Sequence, residues 1–221
     1  MFTGIIESLG EVKETRKKGS MLRLRVKSLK SLGDIREGSS VSVNGACLTV
    51  LSFSNSKNSQ IFNFEVSEET ALRTNLNGFP SKSFVNLERA ISLAGRLAGH
   101  LVLGHVDMMT RFLGSKEKSG GDWLFDFGFE KGMGEFFVEK GSVALNGISL
   151  TIFNVKEDRF SSSILPYTME NTNLRYLKRG DLVNCEADII GKYVKKFMEA
   201  GSSKKNIDMA FLGRHGFLDR A

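Results

Sequence analysis

A chain of 221 residues is long enough for one large domain or two of ordinary size, and its 41% hydrophobic and 25% charged residues are those of a folded globular protein rather than a disordered one. The net charge of +6 is concentrated at one end: residues 189–221 hold seven Lys/Arg against three Asp/Glu, and the 24 against 22 that remain are too balanced for a groove that tracks phosphates. Nucleic acid is therefore not expected as a partner. Two cysteines, Cys47 and Cys185, cannot build a disulfide framework, and no four-ligand Cys/His set has zinc spacing, so no metal is expected. The opening MFTGIIESLGEV has no basic region before an apolar run, and nowhere do 18 apolar residues run together; a cytoplasmic location without membrane contact is expected.

In chain order, the first expected element is a strand in which Leu22, Leu24 and Val26 alternate with Arg23, Arg25 and Lys27, one face buried and one wet. Asn44-Gly45 follows, the strongest short signal for a tight hairpin. SFSNSKNSQ (52–60) is rich in Ser and Asn and reads as a loop, after which Phe62, Phe64 and Val66 resume the alternation. Past residue 100, Trp123, Phe125, Phe127 and Phe129 alternate; such a stripe is more often core than a base-stacking platform. Asn146-Gly147 marks a second hairpin, and with Pro only at 80 and 166, many short strands suit closed antiparallel barrels. Helical spacing dominates only at the end. Ile189, Ile190, Tyr193, Val194, Phe197 and Met198 share one face, Lys192, Lys195, Lys196 and Glu199 the other, and Gly201 is a plausible stop. This apolar stripe is expected to pack on another subunit, with packing on its own barrel the alternative. Residues 207–218 read as a second short helix.

The organising feature is an internal repeat. Ser40–Val50 (SVSVNGACLTV) aligns with Ser142–Ile152 (SVALNGISLTI) at a shift of 102, with six of eleven positions identical. Thr74-Asn75-Leu76 matches Thr172-Asn173-Leu174, and Val85-Asn86 matches Val183-Asn184, both at a shift of 98; the longer segment at 52–60 absorbs the difference. Gly4-Ile5-Ile6 would pair with Gly104-His105-Val106 at a shift of 100. The expected organisation is two barrels, 1–98 and 99–188, and a C-terminal helical segment, 189–221.

Met1-Phe2-Thr3-Gly4-Ile5-Ile6, the paired Asn-Gly-x-Cys/Ser-Leu-Thr motifs and Gly99-His100-Leu101-Val102-Leu103-Gly104-His105-Val106-Asp107, in this order on a duplicated frame, resemble the riboflavin synthase family over residues 1 to about 190. Residues near Phe211–Leu218 resemble the end of many members. The resemblance implies an all-β fold of two six-stranded antiparallel Greek-key barrels plus a C-terminal α-helix that helps hold a homotrimer. It implies the dismutation of two 6,7-dimethyl-8-ribityllumazine molecules, one giving four carbons to the other, to yield riboflavin and 5-amino-6-ribitylaminouracil. No cofactor is implied, and lumazine synthase is a possible partner protein. The active site would lie between the first barrel of one subunit and the second barrel of a neighbour. The rival is a non-catalytic carrier of lumazine or flavin that keeps the duplicated barrels.

Two copies of one molecule must be held face to face yet play different parts, so matched pockets with unlike chemistry are needed. In the repeat alignment His105 stands against Ile5, Lys140 against Gly38, Asp188 against Ala90 and Ser149 against Cys47. His105 and Asp188 are candidates for removing a proton from the C7 methyl group. Lys140 is placed by the resemblance at a neighbouring subunit's ligand, and Ser149 is implicated in catalysis. Cys47 is read as a nucleophile or a polar contact, whereas Cys185, aligned with Leu87, reads as packing. The structural alternatives are a satisfied core His105, an exposed strand-end Asp188 and a surface Lys140. The resemblance implies ligand contacts at Gly4, Ile5, Ile6, Cys47, Leu48, Thr49, Glu65, Val66, Ser67, Glu68, Glu69 and Thr70 in the first barrel. In the second it implies Gly104, His105, Val106, Lys140, Ser149, Leu150, Thr151, Ser163, Ile164, Leu165, Pro166, Tyr167 and Thr168. Leu103, where the family commonly has Ser, and Tyr167, where it has Glu, depart from the pattern.

Overall fold

Period-two patterning becomes two closed antiparallel barrels in the computed structural model, which describes residues 1–130 and 132–202. The first comprises β1 (Ser8–Lys18), β2 (Met21–Ser28), β3 (Ser40–Val43), β4 (Ala46–Ser56), β5 (Ser59–Val66) and β6 (Phe84–Arg89), with helix α1 (Glu68–Arg73) between the last two. The second comprises β7 (Met108–Glu117), β8 (Trp123–Gly128), β9 (Ser142–Leu145), β10 (Ile148–Phe153), β11 (Arg159–Ile164) and β12 (Leu182–Ala187), with α2 (Pro166–Asn171) in the equivalent place. Around each barrel the order is the same, β1-β2-β5-β4-β3-β6 and β7-β8-β11-β10-β9-β12. Closure removes the free edges that would otherwise invite aggregation. A bulge between Val12 and Glu14, repeated between Phe112 and Gly114, bends the first strand of each copy.

Leu22, Leu24 and Val26 are buried while their charged neighbours are wet, as the alternation requires. Phe125 and Phe127 lie inside the second barrel, where the Phe112 ring packs tilted 4.9 Å from Phe125 and Phe160 lies 5.9 Å from Phe127. Each such ring contributes about 1.5–3 kcal/mol by leaving water, so the stripe is core and not a nucleic-acid platform. Residues 52–60 differ from expectation. They are not a loop but the ends of a long hairpin, with Phe53 opposite Phe62 and Asn55 opposite Gln60. Phe53 packs 6.3 Å from Phe62 and Gln60 donates to Asn55 Oδ1 at 3.2 Å; these cross-strand pairs override the loop-like composition. The short helices α1 and α2 also lacked a sequence signal, each being under two turns.

Six asparagines join the barrels. Asn44 and Asn146 adopt left-handed φ of 47° and 45° in the hairpin turns. Asn86 Nδ2 donates to the Asn146 carbonyl at 3.0 Å, and Asn184 Nδ2 to the Asn44 carbonyl at 2.8 Å. Asn173 N donates to Asn86 Oδ1 and Asn75 N to Asn184 Oδ1, both at 2.7 Å. Gly45 and Gly147 face one another so closely that a Cβ on either would stand 2.7–2.8 Å from the other's amide nitrogen. The repeat is thus a pseudo-twofold pair with a shared polar seam.

Helix α3 (Ile189–Ser202) follows β12 directly and runs one residue past Gly201. Its Ile190, Tyr193, Val194, Phe197 and Met198 are 51–72% exposed. The second helix expected at 207–218 lies outside the described residues. No helix among the described residues is long and apolar enough to cross a membrane.

Candidate active site

The segments that lead into the two barrels cross over. Phe2 and Val102 pair as an antiparallel bridge, Phe2 N donating to Val102 O at 2.7 Å. Beyond it, Gly4 O accepts from Ser149 N in the second barrel at 2.8 Å, and Gly104 O accepts from Cys47 N in the first at 2.9 Å. Only glycine fits: φ is +77° and +82°, and a Cβ would stand 2.6 Å from Ser149 Cβ or 2.5 Å from Cys47 Cβ. Ile6 accordingly packs on the second core and Val106 on the first. This corrects the expected grouping. Gly4–Ile6 belong with Ser149, and Gly104–Val106 with Cys47, because each lead-in segment is held by main-chain bonds to the opposite copy.

The first site is a cavity of about 380 Å³, a size suited to a small heterocycle. Cys47 and Ala46 form one wall, Gly104, His105 and Val106 another, and Glu69, Thr70, Arg73 and Thr74, from α1 and its C-cap, a third. Of the other residues expected here, Leu48 and Val66 point into the core, and Thr49 is exposed on the strand. Glu65 is held by Arg23 at 3.3 Å and Lys18 at 3.7 Å on the outer wall. Ser67 caps α1 by accepting from Thr70 N at 3.2 Å, and Glu68 is exposed. Arg73 and Thr74 were missed because a helix of six residues has no readable period.

Around Ser149 the second copy gathers a different set. His100 Nδ1 lies 2.7 Å from Ser149 Oγ, and His100 Nε2 is buried without a hydrogen-bond partner among the described residues. Burial, offset in part by the nearby Asp188 charge, lowers the imidazole pKa, which favours the neutral ring. Asp188 Oδ1 accepts from Ile190 N at 2.9 Å and so caps α3. His105 was expected in the second site with Ser149 and Asp188; the fold instead brings His100, of the same motif, to Ser149. Ile5 is 47% exposed beside this site. Leu150 and Ile164 are core, Thr151, Leu165 and Pro166 are exposed, and Thr168 is half-buried. Ser163 donates to Asp122 at 2.5 Å, and Tyr167 is 76% exposed. Lys140 is exposed and holds a left-handed φ of 64° where Gly38 has 84°, its N–H donating to Ile152 O at 2.9 Å.

Two buried carboxylates, unremarked in the sequence, hold the crossing segments. Glu88 accepts from Thr3 N (2.6 Å), Thr3 Oγ1 (2.7 Å) and Gly4 N (3.0 Å). Glu186 accepts from Leu103 N (2.7 Å), Gly104 N (2.9 Å) and His105 N (3.0 Å). Burial raises both pKa values, while the main-chain donors pull them back. Cys185 is sealed in the core, and burial pushes its thiol up, which makes it packing.

Comparison with known proteins agrees with this duplicated geometry. The lumazine binding domain model matches twice, at residues 3–90 and 103–188. Riboflavin synthase of Actinobacillus pleuropneumoniae is 39% identical over 220 residues, covering 98% of this chain and all of that one. That of Bacillus subtilis is likewise 39% identical over 220 residues with the same coverage. The chain belongs to the riboflavin synthase family of lumazine-binding-domain proteins. Like these relatives it is an enzyme, a transferase. A more distant member, from Schizosaccharomyces pombe, is 36% identical over 206 residues, 90% of this chain and 95% of its own. Among solved structures, LumP complexed with riboflavin superposes with a TM-score of 0.74 at 22% identity, over 85% of this chain and 99% of that one, a likeness of fold.

Proposed function

We propose that the chain is a riboflavin synthase that dismutates two molecules of 6,7-dimethyl-8-ribityllumazine into riboflavin and 5-amino-6-ribitylaminouracil. The observation that carries this reading is one frame with two unlike linings: Cys47 with His105 in the first site, Ser149 with His100 and Asp188 in the second. The two products together contain every atom of the two substrates, so no co-substrate is needed for balance. Matched frames hold two identical rings in related orientations, which offsets the entropy of bringing them together. Unlike linings let one ring act as donor and the other as acceptor.

The residues divide the work as follows. His100, its neutral form favoured by burial, accepts a proton through or beside the Ser149 hydroxyl, and the Asp188 charge stabilises the imidazolium that results. His105 stands at the first cavity as the second proton-transfer group, with Cys47 as a small polar contact to the ring. The ribityl hydroxyls have partners in Thr70 and Glu69 of α1 and in Thr168 of α2. Lys140 reaches a ligand held by a neighbouring chain, in a homotrimer held by the exposed apolar face of α3.

Mixing the protein with the ribityl-lumazine, with no metal, nucleotide or flavin added, yields riboflavin fluorescence and the pyrimidine product in equal amounts. Stoichiometric binding with unchanged ligand would instead identify a carrier.

A further inference from the structure

We propose that the two sites are cross-wired by buried carboxylates. Glu186, on β12 of the second barrel, positions His105 in the first site, and Glu88, on β6 of the first barrel, positions Gly4 and Ile5 against Ser149 in the second. The inference rests on the reading that the two sites bind ribityl-lumazine.

A buried carboxylate is costly unless its oxygens are saturated by donors, and Glu88 and Glu186 are only 3% and 2% exposed. Both recur at the shift of 98 that relates β6 to β12. In each, the donors come from the crossing segment and lie 81–85 residues away in sequence. The same segment then touches the opposite barrel through Gly104 O to Cys47 N or Gly4 O to Ser149 N. Each carboxylate therefore sits in one barrel and sets the wall of the other's site.

The two clamps differ in how the third amide is held. In the first copy, Ile5 N donates to the Thr3 hydroxyl at 3.3 Å, and that hydroxyl in turn donates to Glu88. Leu103 stands at the position of Thr3 and has no hydroxyl, so His105 N donates directly to Glu186 Oε2, at 3.0 Å. The departure at Leu103 is thus absorbed by the carboxylate, and His105 depends on Glu186 without an intermediary. Three main-chain N–H groups converging on two oxygens require an acceptor at both ends of the side chain. Glu186→Gln keeps the shape but turns one end into a donor that meets an N–H, either of Leu103 or of Gly104 and His105.

The test uses the analogue of ribityl-lumazine with oxygen in place of the C7 methyl group, which has no C7 methyl proton to lose and so cannot be turned over. Cys47 lines the first cavity, so protection of Cys47 from iodoacetamide reports that site alone; Cys185 is fully buried. A fluorescence titration reports both sites together. For Glu186→Gln, the analogue concentration that protects Cys47 is expected to rise at least tenfold while one site per chain keeps its original affinity. For Glu88→Gln, Cys47 protection is expected to stay within twofold and the other site to weaken at least tenfold, so this variant decides the matter even if the first fails to fold. Protection of Cys47 within twofold of the parent in Glu186→Gln, or equal weakening of both sites in either variant, overturns the wiring. A parent chain that binds no analogue overturns the lumazine reading itself and the inference with it.

Discussion

Replacing Asn86 by Ala removes one corner of the seam between the barrels. The side chain makes three hydrogen bonds to the second copy: Nδ2 to the Asn146 carbonyl at 3.0 Å, Nδ2 to Asn173 Oδ1 at 2.9 Å, and Oδ1 from Asn173 N at 2.7 Å. Two of the orphaned partners are main-chain groups at a buried interface. With about 1 kcal/mol net for each lost bond and about 1–3 kcal/mol for each buried group left unpaired, and some relief from entering water, the cost is about 3–5 kcal/mol. That is a large share of the roughly 5–15 kcal/mol that holds a domain folded. Urea unfolding is followed by the emission of Trp123, the single tryptophan, which lies in the second barrel although Asn86 lies in the first. At a slope of about 3 kcal/mol per M the midpoint falls by about 1–1.7 M, at fixed protein concentration. A Trp123 transition that stays put while the circular dichroism shifts would refute the idea that the seam makes one cooperative unit of both barrels.

Lys140→Gly relieves a left-handed backbone at φ 64° that its counterpart Gly38 adopts freely. Strain relief of about 1–2 kcal/mol against about 0.5–1 kcal/mol of added chain entropy leaves stability unchanged or up by as much as about 1.5 kcal/mol, while turnover falls, as steady-state assay and thermal melting together will tell. His100 has a folded pKa below its ordinary 6.5, so the unfolded chain takes up its proton first. Its stabilisation is complete above that value and is lost as pH falls through it toward the lowered folded value. Urea midpoints at about pH 8 and about pH 5.5 should therefore differ less for His100→Asn than for the parent. Phe197→Glu puts a charge on the exposed apolar face of α3, where Phe197 is 72% exposed. Sedimentation should show the proposed trimer of the parent giving way to monomer with the barrels intact; a parent that is monomeric, or a variant that stays trimeric, would refute this role of α3.

Strand content, the duplication and the identity of the core stripe were legible in the chain, because alternation over Leu22–Val26 and Trp123–Phe129 is a local pattern that burial on one face imposes. Asn-Gly at 44–45 and 146–147 was equally legible, since the left-handed turn it makes depends on those two residues alone. Local pattern misled at 52–60, where Phe53 and Phe62 pack across a hairpin that Ser and Asn composition conceals. The crossing of Gly4–Ile6 and Gly104–Val106, the meeting of His100 with Ser149, and the burial of Glu88 and Glu186 were decided only by the tertiary structure. A repeat alignment records which residues are equivalent, but equivalence is preserved whether a segment closes its own barrel or its twin's. Which of the two occurs depends on where main-chain donors and acceptors about 57 to 145 residues apart find each other, and no periodicity along the chain encodes that.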